Sequence, residues 1–143
     1  MTRVSFYILN GIQETNRQVF ACRLAEKAYR QGNHVYIHTQ NADHAEQLNQ
    51  MLWSFRADSF VPHQLTSTDN NDASPVLIGH STSPPRLMDL LINLSAEQPL
   101  FFSQFERVAE CLNDDENIKT AGRKRYRFYK QRGYELDTHQ IAL

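Results

Sequence analysis

Residues 4–38 read VSFYILNGIQETNRQVFACRLAEKAYRQGNHVYIH, and this stretch decides the fold. Val4–Leu9 is nearly all apolar, which is typical of a central strand that is buried on both faces. Gln13–Gln31 then shows apolar side chains at four-residue spacing, which predicts an amphipathic helix. His34–His38 is a second short apolar segment and predicts another strand.

The same alternation continues downstream. Asp43–Leu52 predicts a second helix, and Val76–Gly79 predicts a further short strand. Strands that alternate with helices favour a parallel sheet with right-handed crossovers. We therefore predict an α/β fold: a single domain over residues 1–143, with a mostly parallel sheet flanked by helices, similar to a nucleotide-binding, Rossmann-like fold.

The remaining segments carry weaker signals. Arg86–Leu94 fits either a buried strand or a helix, and propensity does not choose between them. Phe101–Leu112 has apolar residues at helical spacing and is predicted to be a helix. Tyr134–Leu143 follows as a tail whose sequence carries no strong signal for helix or strand. The polar stretches Thr66–Pro75 and Ser81–Pro85 are predicted to be loops.

Composition is that of an ordinary globular protein. The chain has 143 residues, 41% hydrophobic and 22% charged, with a net charge of −1. No apolar run approaches the roughly 18 residues of a membrane helix, and Met1–Arg3 opens no signal-peptide pattern. We expect a cytoplasmic protein with no direct membrane contact. Cys22 and Cys111 form no CxxC pair, so we expect buried, reduced thiols.

Positive charge is concentrated in one stretch. Asn113–Gly133 holds seven of the fifteen Lys and Arg residues, and no acid falls among those seven. The stretch predicts a helix that Asn113 caps, with Glu116 as the partner of a capping box. Gly133 is predicted to end it in the left-handed conformation.

Helical periodicity divides this stretch into two faces. The predicted core face holds apolar and small residues, namely Ile118, Ala121, Gly122, Phe128 and Tyr129. The outer face holds a basic row with one aromatic ring inside it, namely Lys119, Arg123, Tyr126 and Lys130. Such a row suits a partner that offers carboxylate or phosphate together with a flat or apolar group; the alternative is a solvated basic face. Arg125 falls near the core face, where it either snorkels to solvent or meets an acid.

A second unusual stretch is Trp53–Leu65, WSFRADSFVPHQL. It contains the only tryptophan of the chain, two phenylalanines, a valine and a proline, and it has neither helical nor strand periodicity. A segment this apolar without regular structure either covers a core or contacts a partner.

Signals for catalysis are nearly absent. The loop after the first strand, Asn10-Gly11-Ile12, has one glycine, and the chain contains no GxGxxG, GxxxxGK[ST] or GxSxG motif. His34 and His38 share one strand face, but the nearest third metal ligand, His44, lies on the next helix, and such a trio is usually incidental. His63 has no nucleophile or carboxylate tied to it by the sequence. We therefore expect no catalytic residues, no metal site and no cofactor, and a binding module is favoured over an enzyme.

Several pieces together resemble one family. These are the FYIL strand within Met1–Leu9, Leu52-Trp53 followed by the SFVPH run Ser59–His63, and the register of Arg125-Tyr126 with Tyr129 and Gly133. With them, essentially the whole chain resembles the chi subunit of bacterial DNA polymerase III holoenzyme.

That resemblance implies a role and two sites. Chi-like proteins have an α/β fold without a known catalytic role in replication, and they act as connectors at the replisome. One surface binds the psi subunit, and through it the clamp loader; the resemblance puts this surface at Trp53, Phe60, Val61, Pro62 and His63. Another binds the acidic C-terminal tail of single-stranded DNA-binding protein, which ends in Pro-Phe; the resemblance puts it at Lys119, Arg123, Tyr126 and, as a weaker match, Leu112.

Two other classes of function remain open at this point. The basic helix with interleaved aromatics also fits a module that binds single-stranded nucleic acid directly, although the near-neutral net charge makes such contact weak at best. An enzyme of the nucleotide-binding type is third, since the predicted fold is common among such enzymes.

Overall fold

A computed structural model of the chain describes residues 1–66, 73–80, 84 and 88–142. Seven strands are present in this part of the chain: β1 Arg3–Leu9, β2 Val35–His38, β3 His63–Leu65, β4 Val76–Gly79, β5 Leu90–Asn93, β6 Arg107–Leu112 and β7 Glu135–Ile141. The helices are α1 Glu14–Arg30, α2 Ala42–Ser54 and α3 Glu116–Gln131, with a short 3₁₀ turn at Phe102–Gln104. The strands form one sheet in the order β3-β4-β2-β5-β6-β1-β7, and every neighbouring pair is parallel. The predicted parallel α/β fold is confirmed.

Two apolar cores lie on opposite faces of this sheet. The helices α1 and α2 cover one face, where Ala25, Leu48 and Ile37 are fully buried. The helix α3 and the 3₁₀ turn cover the other, where Phe6 and Tyr129 are buried. The central strands β2, β4 and β5 are buried along their whole length, because they are covered on both faces.

The predicted helix over Phe101–Leu112 is wrong. The segment begins with the 3₁₀ turn and continues as β6, which pairs with both β5 and β1. Residues four apart share a face in a strand as well as in a helix, because side chains alternate with a period of two. Val108 and Leu112 pack into the same core from the strand, so their spacing did not discriminate between the two structures.

The C-terminal tail, for which the sequence carries no strong signal, contains a strand: residues 135–141 form β7 at one edge of the sheet. Its polar sequence fits an edge strand that is largely exposed to solvent. For Arg86–Leu94, the strand alternative holds at Leu90–Asn93, while residues 86 and 87 lie outside the described part. Most of the two predicted polar loops lies outside it too, at residues 67–72, 81–83 and 85.

Cys22 and Cys111 are buried, free thiols, as predicted. Burial raises the pKa of both thiols to about 12, so they are protonated at neutral pH. No helix among the described residues is long and apolar enough to cross a bilayer.

Candidate protein-interaction sites

The basic stretch folds into α3 with a well-defined start and end. Asp115 caps the helix, since its side chain accepts hydrogen bonds from the backbone N–H groups of Asn117 and Ile118 at 3.0 and 3.2 Å. The predicted Asn113 cap is wrong by two residues: Asn113 lies in the preceding turn and accepts from the N–H of Asp115. At the other end Gly133 has φ of +78°, so the predicted left-handed stop is confirmed.

The helix packs directly against the sheet through Gly122 and Leu112. A Cβ added to Gly122 would lie only 2.5 Å from Cδ1 of Leu112, so a larger residue would push α3 away from β6. Leu112 itself is 6% exposed. Leu112 therefore packs between α3 and the sheet and supports the helix at Gly122.

The predicted outer row lies on the flank of α3 that faces β1 and β7. Tyr126 packs edge-on against Phe6 of β1, with ring centroids 5.3 Å apart. Lys130 places its Nζ 6.0 Å from the centroid of the Tyr126 ring. Arg123 is exposed and Lys119 is half-buried. Among the described residues no acid forms an ion pair with any of these three cations, so the row offers free positive charge beside an aromatic ring.

Arg125 points to the opposite flank and has the acid partner that the sequence did not identify. Its Nε donates to Glu110 of β6 at 2.9 Å, and its Nη1 donates to the carbonyl of Ala96 at 2.7 Å. The two side chains are 3% and 0% exposed. This buried ion pair separates Arg125 from the exposed basic residues of the helix.

Glu110 is the centre of a buried polar network. It also accepts hydrogen bonds from the Tyr129 hydroxyl at 2.8 Å and from the Asn93 amide at 3.1 and 3.2 Å. Burial and the adjacent Glu110 carboxylate raise the pKa of Tyr129, so its hydroxyl stays a donor. Two of the four side chains belong to α3, so the network fixes the rotation of the helix and thereby the direction in which the basic row faces.

The other predicted surface lies at the far edge of the sheet, next to β3. Trp53 in the last turn of α2 is 55% exposed, and Phe60 in the following loop is 61% exposed. Their ring centroids are 5.7 Å apart, and Trp53 lies 4.8 Å from the ring of His63. Two large apolar side chains in contact with one another, yet open to solvent, form a patch of the kind that partners cover.

The rest of this segment supports that patch. Val61 is 1% exposed and belongs to the core, so it anchors the segment instead of adding surface. Pro62 and His63 are half-buried, and the ring nitrogens of His63 lie 2.6 and 3.2 Å from the carbonyl oxygens of Val61 and Asn49. Glu26 of α1 holds the loop from below by accepting from Ser59 and pairing with Arg56 at 3.3 Å.

The carboxyl edge of the sheet is where parallel α/β folds bind nucleotides. Here Arg17 lies across that edge, with its guanidinium donating to the carbonyls of Cys111 and Leu94 at 3.0 and 3.2 Å. Glu14 pairs with the same guanidinium at 2.9 Å. Gly11, in the loop where a phosphate-binding motif would lie, donates its N–H to Asp114 at 2.7 Å. These groups are satisfied within the protein, and the two carboxylates disfavour an anion there.

The three histidines His34, His38 and His44, whose spacing indicated an incidental grouping, lie in different surroundings. His38 is 8% exposed, while His34 is exposed beside Asp89 at the start of the strand. Burial, together with the nearby His80, lowers the pKa of His38 to about 4, so its ring is neutral. No group of three His, Cys, Asp or Glu side chains in the described ranges is placed to hold a metal ion.

Comparison with known proteins identifies the family. Residues 1–137 match the family model described as DNA polymerase III chi subunit, HolC. The DNA polymerase III subunit chi of Pseudomonas aeruginosa is 43% identical over 141 residues, covering 99% of this chain and 98% of that protein. Those of Haemophilus influenzae and Escherichia coli are 31% and 30% identical, each over 96% of this chain and 96% and 97% of their own length.

A solved structure is similar in fold alone. The crystal structure of T4 UvsW superposes with a TM-score of 0.72 at 7% identity, over 99% of this chain and 42% of that one. The molecule is thus a parallel α/β protein with two exposed surfaces, one basic and one aromatic. The chain belongs to the family of chi subunits of DNA polymerase III, and is therefore a component of DNA replication.

Proposed function

We propose that the chain is a non-catalytic connector that binds the psi subunit at one edge of its sheet and the acidic C-terminal tail of single-stranded DNA-binding protein at the other. The observation that carries the proposal is the row on α3: the cations of Lys119, Arg123 and Lys130 lie along the same flank of the helix as the half-buried ring of Tyr126, with Nζ of Lys130 6.0 Å from its centroid. An acidic peptide with an apolar end complements that combination.

Each residue of the row has a distinct part in holding the tail. Arg123 grips a carboxylate through two parallel hydrogen bonds, which an ammonium group cannot do. Lys119 supplies a second cation one turn earlier. Tyr126 provides an apolar contact for the terminal Phe of the tail, and the buried Leu112 supports α3 from beneath Gly122. Lys130 attracts the acidic run at a longer range and speeds encounter.

The psi surface works by burial of apolar area. Trp53 and Phe60 expose more than half of their surface, and both are types that dominate the energy of protein interfaces. The supports beneath them, Val61 and the Glu26 contacts, hold the rings in place before a partner arrives. Less ordering entropy is then lost on binding. Through psi, the chain would reach the clamp loader.

The two surfaces are separated by the width of the sheet. The patch of Trp53 and Phe60 lies beside β3, and the basic row lies beside β1 and β7. Six strand spacings of about 4.8 Å put roughly 30 Å between β3 and β7. Two partners of ordinary size can therefore occupy the protein together, as a connector requires.

The test is a pair of titrations in which binding is measured by isothermal calorimetry. One uses an acidic peptide that ends in Pro-Phe with a free carboxylate, and the other uses bare single-stranded DNA of similar charge. We expect saturable 1:1 binding of the peptide and only weak, salt-sensitive binding of the DNA. Tighter binding of DNA than of peptide would overturn the proposal and favour a module that binds nucleic acid directly.

Catalysis is tested separately by incubation with common nucleotides. We propose that no turnover occurs, because Arg17 and its partners cover the carboxyl ends of β5 and β6 and the sequence offers no nucleophile–base pair or phosphate-binding loop. Turnover that disappears when His63 is replaced would contradict this assignment.

A further inference from the structure

The edge strand β7 is long and open. It pairs with β1 through seven registered positions, from Arg3 with Glu135 to Leu9 with Ile141, and no described strand pairs with its other side. The opposite edge strand, β3, has only three residues. Proteins commonly protect an edge by shortness, charged side chains, a proline or a bulge. The two acids of β7 have partners within the protein, Glu135 with Arg3 and Asp137 with His139. The seven residues of β7, ELDTHQI, contain no proline and pair with β1 in unbroken register.

The backbone groups on this open side are identified by a single hydrogen bond. The N–H of Asn10 donates to the carbonyl of Ile141, so the backbone of Ile141 faces β1. Because backbone direction alternates along a strand, Asp137 and His139 also face β1. The N–H and C=O groups of the intervening residues, Leu136, Thr138 and Gln140, face outward.

The side chains of these outward-facing residues lie on the α3 face of the sheet. Leu136 packs against the core on that face, and alternation places Thr138 and Gln140 with it. His139 lies on the other face, where its ring stacks on Tyr7 at 5.0 Å. Thr138 and Gln140 are exposed and uncharged, so the open edge presents a neutral strip on this side.

The basic row borders this strip. Tyr126 packs on Phe6 of β1, and Phe6 is in register with Thr138 of β7. One strand spacing, about 4.8 Å, therefore separates Phe6 from the edge strand, and the Tyr126 ring packs on the strand next to that edge. The acids of β7 do not face the row: Asp137 pairs with His139 at 3.1 Å and Glu135 with Arg3 at 3.3 Å. The free cations of α3 thus stand over an edge whose near side carries no negative charge.

From this juxtaposition we propose that the acidic tail pairs its backbone with the open edge of β7 and becomes an eighth strand, while its side chains meet Arg123 and Tyr126. The inference rests on the proposed function, since it takes the same tail as the occupant. Charge complementarity selects an acidic segment, and an extended, disordered peptide is the form that adds to a sheet edge. Main-chain hydrogen bonds would supply affinity independent of the tail's sequence, and the basic row would supply selectivity.

The direct test is amide hydrogen exchange by NMR on the full chain, with and without the acidic Pro-Phe peptide. We expect exchange at the Thr138 and Gln140 amides to slow at least tenfold when the peptide binds. The amides of Asp137 and His139, already paired with β1, should change little. Saturable binding with no change at Thr138 and Gln140 would overturn the edge pairing and leave the proposed function standing. Absence of peptide binding would refute both.

A second measurement removes one hydrogen bond from either partner. Thr138→Pro deletes an outward N–H without touching the bonds to β1, a change that edge strands tolerate, and it should weaken peptide binding about three- to tenfold. Thr138→Val keeps the N–H and should bind like the wild type. Peptides N-methylated at successive positions give the same information on the unmodified protein: alternate positions should lose binding. Equal affinity for every methylated peptide would contradict the proposal.

Discussion

Arg125 of α3 forms a buried ion pair with Glu110 of β6, and both side chains are almost fully excluded from solvent. Its position near the core face of α3 indicated either snorkelling or a hidden acid, and the structure provides the acid, Glu110. The sequence does not identify Glu110 as the partner, because Glu110 lies in Phe101–Leu112, where the apolar spacing predicts a helix and the structure has β6. Helical periodicity alone predicts that Lys119, Arg123 and Tyr126 share the outer row. The structure places all three on one flank of α3.

The buried pair leads to a prediction about stability. Arg125→Leu should destabilise the protein by about 3–5 kcal/mol, because it leaves the Glu110 carboxylate buried without its cation. The free energy of unfolding in urea measures this. Arg127→Leu, an exposed change in the same helix, is the matched control and should cost less than about 0.5 kcal/mol. A loss below 1 kcal/mol for Arg125→Leu would mean that the pair does not hold the helix.

Arg123 leads to a prediction about binding of the tail. Arg123→Ala should weaken the peptide ten- to a hundredfold, since a charge-assisted contact to a carboxylate contributes about 1.5–3 kcal/mol. Calorimetry with the acidic peptide measures the change. Lys124→Ala, which removes one charge from the other flank, should weaken binding far less. Amidating the peptide's terminal carboxylate should mimic Arg123→Ala, and the two changes together should be less than additive. Full additivity would show that Arg123 does not touch that carboxylate.

At the scale of elements, the sequence predicted the strands and helices whose apolar pattern fits only one type of secondary structure. The apolar runs of β1 and β2 and the long amphipathic face of α1 are unambiguous, because they combine periodicity with clear turn residues. β6 was missed because its four-residue spacing also suits a helix. β7 was missed because an exposed edge strand lacks the alternation of apolar and polar residues that marks a half-buried strand.

The loop after α2 leads to a prediction about the psi surface. Phe60→Ala should weaken psi binding by more than tenfold, because an exposed aromatic anchor loses its contact area. The melting temperature and binding of the tail peptide should stay near those of the wild type, since Phe60 is 61% exposed and lies at the far edge of the sheet. Leu100→Ala, which also truncates a large and exposed apolar side chain, serves as the control. Unchanged psi binding by both Phe60→Ala and Trp53→Ala would remove this patch from the interface.

At the scale of the whole molecule, the sheet separates the aromatic patch beside β3 from the basic row beside β1 and β7. A fold that elsewhere binds nucleotides at its carboxyl edge here has Arg17 across the carboxyl ends of β5 and β6, and the two predicted binding surfaces lie at the lateral edges. Strand order was not predictable beyond the first two strands, so the opposite placement of the two surfaces emerged only from the structure. Under the proposed function, that placement would let the two partners bind at the same time.

The most direct test of the connector is to titrate the acidic Pro-Phe peptide into the free chain and into its purified complex with psi. We expect the peptide to have the same dissociation constant for the free chain and for the psi complex, within about twofold, because roughly 30 Å of sheet separates the two surfaces. Phe60→Ala should affect only the psi complex, and Arg123→Ala only the peptide. Loss of peptide binding once psi is bound, or release of psi by the peptide, would contradict the proposal that the chain connects the two partners.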